Sequence, residues 1–307
     1  MGIILLLSLF IYSKNDLYFG SYNINAVLGL ATGLGFIALG QTIVLMTGGI
    51  DLSVGTSMTL VAVIVGKTVM AFDLSVWSGI LLGMLVGASL GAINGILITM
   101  LRLPPFIATL ATMKGAQGLA LIVSDMKPVL LATDVEGWDQ IAQGNIIPNF
   151  PNGALILFVA AIVGSIILNK TVLGRYTFAI GSNPEATKLS GVKVNRWLIA
   201  IYALCGVYVG LAAVVLTSRL GSAQPDLGLG YELEAIAAVI IGGTSLFGGK
   251  GTIGGTIIGA LIMSVLINGL RILELQQEWQ YVVVGVVILL AVYGDNLRRR
   301  RAGDTTV

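Results

Sequence analysis

Apolar runs recur down the whole chain, separated by short polar stretches, and it is their length that carries the first conclusion. A helix rises about 1.5 Å per residue, so crossing a hydrocarbon core of about 30 Å takes roughly 20 mostly apolar residues. Ten segments meet or approach that requirement: 2–13, 26–47, 56–72, 77–100, 105–124, 153–168, 196–217, 232–247, 253–273 and 279–294. The pattern predicts an all-α polytopic membrane protein of about ten transmembrane helices, a single domain over 1–307. The first segment, about 18 Å of helix by the same rise, has a signal peptide as its alternative reading. It lacks a basic leader and a small-residue cleavage site before Asn15, so it is taken as a span.

Ten spans put both termini on one side, and Arg298, Arg299, Arg300 and Arg301 make that side the cytoplasm. The loop holding Lys170, Arg175, Lys188, Lys193 and Arg196 then falls inside, as do Arg102 and Lys250, which makes eleven of the seventeen basic residues. Lys14, Lys127, Arg219 and Arg271 fall outside, among Asp16, Asp134, Glu136, Asp226 and Glu274. Lys67 and Lys114 sit within apolar runs, where they either snorkel to an interface or face an aqueous cavity.

Glycine gives the spans a second layer of information. Gly83, Gly87, Gly91 and Gly95 form a stripe on the fourth span, as Gly251, Gly255 and Gly259 do at the ninth and Gly206 with Gly210 at the seventh. Such stripes let another backbone approach closely, or they line a pathway. Two interruptions resemble each other: GGIDLSVG from Gly48 to Gly55 and GGTSLFGG from Gly242 to Gly249, each after an apolar run. A helix broken at membrane depth frees backbone groups that only protein or water can satisfy, and paired breaks in two halves point to a transport path. The span count makes this repeat parallel. Gly48, Gly49, Gly242, Gly243 and Ser245 are therefore path candidates. Asp51 joins them, because a carboxylate at the membrane edge is costly unless paired or wetted; the alternative is that it caps the helix starting near Ser53.

The cytoplasmic stretch AIGSNPEATKLSGVKVNR predicts a short free-standing helix. Asn183 suits the N-cap, Pro184 the first helical position, Glu185 the positive end of the dipole and Gly191 a left-handed stop. A helix of about two turns is marginal alone in water, so it packs against this chain or a partner.

Composition narrows the chemistry. With 56% hydrophobic and 10% charged residues the chain cannot solvate its own surface, and a lipid bilayer is its solvent. Histidine is absent, and the single Cys205 has no partner, which argues against a metal site, a disulfide, a cofactor and acid–base catalysis. A net charge of +2 gives no reason to expect nucleic acid. The stretch TSLFGGKGT imitates a phosphate loop, yet Thr244 replaces its first glycine and Gly251 the Ser or Thr after Lys250. The triplet Asn169, Lys170, Thr171 fits a glycosylation acceptor but falls in the cytoplasm.

GGIDLSVG, GSNPEATKLSGVKVN and the run from Ser222 to Leu261, three long motifs in order, resemble the permease subunits of bacterial sugar ABC importers, and among those most closely the ribose permeases. The resemblance covers nearly the whole chain after the first span. It implies a type II importer-like bundle in the cytoplasmic membrane, a second permease copy making a homo- or heterodimer, a cytoplasmic ATP-binding subunit and an extracytoplasmic sugar-binding protein. It implies that the segment Gly181, Ser182, Asn183, Pro184, Glu185, Ala186, Leu189, Ser190 and Gly191 couples to the ATP-binding subunit, and that the chain has no ATPase site of its own. Gln41, Ser53, Asn94 and Asn268 are expected to give the sugar a polar, weakly binding path. The basic leader usual in such permeases is missing, which suggests a truncated start. An ion-coupled secondary transporter is the alternative, disfavoured by the scarcity of intramembrane acids.

Overall fold

The structure is a computed structural model that describes residues 8–13, 16–131 and 135–301. Residues 2–7, half of the expected first span 2–13, and Lys14, Asp134 and residues 302–307 lie outside them. A 3-10 turn at Asp16–Phe19 leads into α1 (Ser21–Leu45), α2 (Val54–Ala71), α3 (Val76–Thr99) and α4 (Pro105–Ser124). Then follow α5 (Gln140–Gln143), α6 (Asn152–Lys170), α7 (Val172–Ser182), α8 (Pro184–Leu189) and α9 (Val194–Leu220). The chain closes with α10 (Tyr231–Ile241), α11 (Ile253–Ile272) and α12 (Gln277–Arg301). Among the described residues eight helices are long and apolar enough to cross a membrane: α1 to α4, α6, α9, α11 and α12.

The eighth expected span differs. The apolar run predicts one helix over 232–247, but α10 stops after 11 residues, about 16 Å at the usual rise. Gly230 (φ 94°) and Gly243 (φ 92°) bound it, and that left-handed backbone ends a helix at little cost only in glycine. The rest of the crossing is non-helical chain that descends from β2 (Ser222–Ala223), which pairs antiparallel with β1 (Val129–Leu130). This chain reaches well inside the bundle, where the Gly228 N–H donates to Thr59 Oγ1 at 2.8 Å.

Both glycine-rich interruptions are real breaks, and they meet. α1 ends at Leu45, and α2 starts at Val54. The Gly249 N–H donates to the Met46 carbonyl at 2.9 Å, which joins the second break to the first. α1 and α10 both arrive at this end and α2 and α11 both leave it, so the two halves share an orientation, as the span count requires. Gly249 also lies against Ser182, which places Lys250 and the basic α7 to α9 segment at the same, cytoplasmic end.

The glycine stripes are sites of close backbone contact. α3 runs antiparallel to α9, with Gly87 on the Gly206 carbonyl, Gly206 on the Gly87 carbonyl, Gly83 and Gly210 facing each other in the same way, and Gly91 on the Tyr202 carbonyl. All four stripe residues of α3 are buried. In α11, Gly255 meets the Gly242 carbonyl and Gly259 the Ala238 carbonyl, so the second stripe seats the half-length α10. Lys67, near the end of α2, has a partner remote in sequence: its Nζ lies 3.2 Å from Asp125 Oδ2.

Candidate functional site

The first break folds around a buried carboxylate. Asp51 Oδ1 accepts from the Ser53 N–H at 2.8 Å and from Ser53 Oγ at 2.6 Å. Asn94 of α3 donates through Nδ2 to both Asp51 oxygens, at 3.4 and 3.3 Å, and to Ser53 Oγ at 2.8 Å. Asn94 Oδ1 in turn accepts from Thr112 Oγ1 of α4 at 2.6 Å, and Thr109 Oγ1 donates to the Ile50 carbonyl at 3.2 Å. Gln41 of α1, with its amide turned so that both ends are satisfied, bonds the Asp51 backbone N–H and carbonyl. Gln41, Asp51, Ser53 and Asn94 are thus brought together and almost wholly buried. They tie the break to α1, α3 and α4.

Asp51 does not cap α2: the N-cap is Ser53, and Asp51 accepts from the Ser53 N–H and hydroxyl, a local turn ahead of the helix that leaves its first-turn N–H groups without a side-chain cap; the contacts to Asn94 reach beyond that turn. Asp51→Asn sets its new amide N–H₂ against that of Asn94, two donors facing each other. Leaving a buried donor unsatisfied costs about 1–3 kcal/mol, so the purified variant is expected to melt measurably below the parent in detergent. A melt identical to the parent would reduce Asp51 to its local contacts with Ser53.

Other expected site residues fall elsewhere. Asn268 lies near the opposite end, donating through Nδ2 to Asn23 Oδ1 at 3.0 Å, and does not join the Asp51 group. Gly242, Gly243 and Ser245 form the second break, which touches the first at Met46 and Gly48 but not the carboxylate.

The cytoplasmic segment folds as its residues dictate. Asn183 Oδ1 accepts from the Ala186 N–H at 2.9 Å, Pro184 opens α8, Glu185 stands in the first turn and Lys188 in the last. Gly191 has φ 85°. Leu189 is 89% exposed at the tip of α8, an apolar side chain left in water by a helix of six residues. Just before α8, Gly181 is pressed on the Met46 carbonyl and the Gly249 N–H. The α7–α8 joint therefore rests on both breaks.

Lys114 is the tenth residue of the 20-residue α4, about 14 Å from its near end at the usual rise, and its side chain is exposed. A four-carbon stem cannot snorkel that far, and a charge facing lipid at such depth costs about 2.5–3.5 kcal/mol or more. Lys114 therefore faces water or protein.

The family model for the branched-chain amino acid transport system permease component matches residues 23–292. The chain belongs to this family of permeases. It is a multi-pass protein of the bacterial cytoplasmic membrane and the membrane-spanning subunit of an ABC importer. The ribose import permease of Bacillus subtilis is 45% identical over 85% of this chain and 80% of its own length. That of Escherichia coli K12 is 40% identical over 86% and 82%. The fructose import permease of Rhizobium meliloti is 36% identical over 98% and 85%. No solved structure matches the chain significantly. The family's description names branched-chain amino acids whereas these relatives are named for sugars, so membership fixes the subunit's role in transport before it fixes a substrate.

Proposed function

We propose that this permease forms the path for ribose or a closely similar small sugar, in a complex with a second permease copy, a cytoplasmic ATP-binding subunit and an extracytoplasmic sugar-binding protein. The observation that carries the mechanism is the seating of Gly181 on Met46 and Gly249. A ligand shifts a conformational equilibrium only through different affinities for its two states. ATP bound in the partner supplies that difference, α8 receives it, and the α7–α8 joint passes it to the two breaks, where α1, α2, α10 and α11 meet. The Asp51 group locks the first break in one arrangement, and its regrouping opens the way past Gly49 and Gly243. Identities of 36–45% to ribose and fructose import permeases support a sugar as the substrate. The imitation phosphate loop serves packing in this reading: the Gly248 N–H bonds the Ser245 carbonyl and the Gly249 N–H the Met46 carbonyl, so these donors are turned away from any phosphate.

The test is retention of the ATP-binding subunit by an affinity-tagged permease. Leu189→Ser removes the exposed apolar tip of α8, and Glu185→Lys places a positive charge at the positive end of its dipole. Gly191→Val forces a β-branched residue into a left-handed backbone at about 1–2 kcal/mol. Each is expected to reduce co-purified ATP-binding subunit several-fold while the permease stays in the membrane. Full retention by all three would place the coupling surface elsewhere.

A further inference from the structure

α7, the turn after α8 and the first turns of α9 enclose a groove of about 500 Å³ at the cytoplasmic end. Its walls divide by chemistry. Val172, Tyr176, Val192 and Trp197 supply an apolar side, with the two aromatic rings packed edge to face, 4.9 Å between centroids. Lys193 and Arg196 supply the charge, and no acidic residue lines the groove. Both cations are exposed, and neither has an ion pair or a side-chain hydrogen bond among the described residues. The chain fixes the depth of the groove: α9 is a spanning helix that begins at Val194, so Lys193 and Arg196 stand where its cytoplasmic end leaves the hydrocarbon. Trp and Tyr concentrate at that level. An apolar wall beside a cationic one at a membrane boundary fits an amphiphile with an anionic head, and the cytoplasmic leaflet is rich in such lipids. A free phosphate would leave the apolar wall uncovered.

We propose that this groove binds an anionic phospholipid of the cytoplasmic leaflet, with Arg196 and Lys193 on its phosphate and Val172, Tyr176 and Trp197 along the glycerol and upper acyl chain. The guanidinium meets two phosphate oxygens at once, and the ammonium adds a point charge. The lipid then lies against the turn from Gly191 to Lys193 that joins α8 to the bundle. The site needs only the chain's place in the membrane and does not depend on which substrate it carries.

The test is thermal melting of the purified permease in detergent, titrated with short-chain phosphatidylglycerol, phosphatidylcholine or inorganic phosphate. Phosphatidylglycerol is expected to raise the parent's melting temperature at concentrations where the other two do not. Lys193→Gln combined with Arg196→Gln is expected to need about 25-fold more of it for the same shift, roughly fivefold for each cation removed. Arg102→Gln combined with Lys170→Gln removes two exposed cytoplasmic cations outside the groove and is expected to titrate like the parent. A parent that responds equally to phosphatidylcholine, or to inorganic phosphate, would overturn the proposal. So would a groove variant that titrates like the parent, or a control that loses as much as the groove variant, because the headgroup would then be held by surface charge at large. The groove variant is also expected to retain the ATP-binding subunit in full. Its loss would assign the groove to an acidic surface of that partner and overturn the lipid site.

Discussion

Gly181→Val is expected to abolish sugar uptake and the coupled part of ATP hydrolysis while leaving the permease inserted and its ATP-binding subunit attached. A β-carbon at this position would lie on the Met46 carbonyl and 2.6 Å from the Gly249 nitrogen, and neither is the flexible end of a side chain. Overpacking of this kind costs about 1–3 kcal/mol, occasionally more. Its point of application decides the phenotype, because the strain falls on the joint between α8 and the two breaks and not on a spanning helix. ATPase activity of the reconstituted complex, with and without loaded sugar-binding protein, is the measurement. Loss of stimulation with basal activity retained is the expected result; stimulation equal to the parent's would show that force does not pass through this contact.

A larger loss of stability is expected one level down, at the α3–α9 contact. Gly87→Leu adds a side chain where the Gly206 carbonyl already touches the backbone, and Gly206 and Gly210 offer no side chain that could move aside. Helices in lipid associate through such close packing, since no hydrophobic driving force separates lipid from leucine. The helices have to part, and the buried stripe from Gly83 to Gly95 is lost with them. Gly87→Leu is therefore expected to be degraded or aggregated, seen as loss of the monodisperse peak in fluorescence-detected size-exclusion chromatography. Gly285→Ala in α12, where a β-carbon meets nothing, is expected to behave as the parent does. A monodisperse Gly87→Leu would contradict the packing account.

These two sites show how far the residues alone lead. The stripe on α3 and the pair on α9 were both visible as spacing, because one residue per four on a helix is a fixed geometry; that they face each other was not, since spacing names no partner. The cap, the proline and the stop of α8 were readable one residue at a time, because capping is local. The length of α10 was not. Hydropathy counts apolar residues and cannot distinguish a helix that crosses from a half-length helix preceded by buried non-helical chain. Gly228 and Gly230 held the clue, but glycine is so common here, at 41 residues, that a single one marks nothing. Asn268 and Asn94 looked equivalent as amides in apolar runs, and only the packing separates them, one on Asn23 and the other on Asp51.

In the proposed mechanism this permease moves a sugar by motion passed from an ATP-binding partner through α8 to its breaks. Uptake of radiolabelled ribose into proteoliposomes tests it most directly, with the permease reconstituted together with its ATP-binding subunit, ATP at the cytoplasmic face and loaded sugar-binding protein opposite. Accumulation is expected to require all three and to stop when ATP is replaced by a non-hydrolysable analogue. Accumulation by the permease alone under a proton or sodium gradient would contradict it.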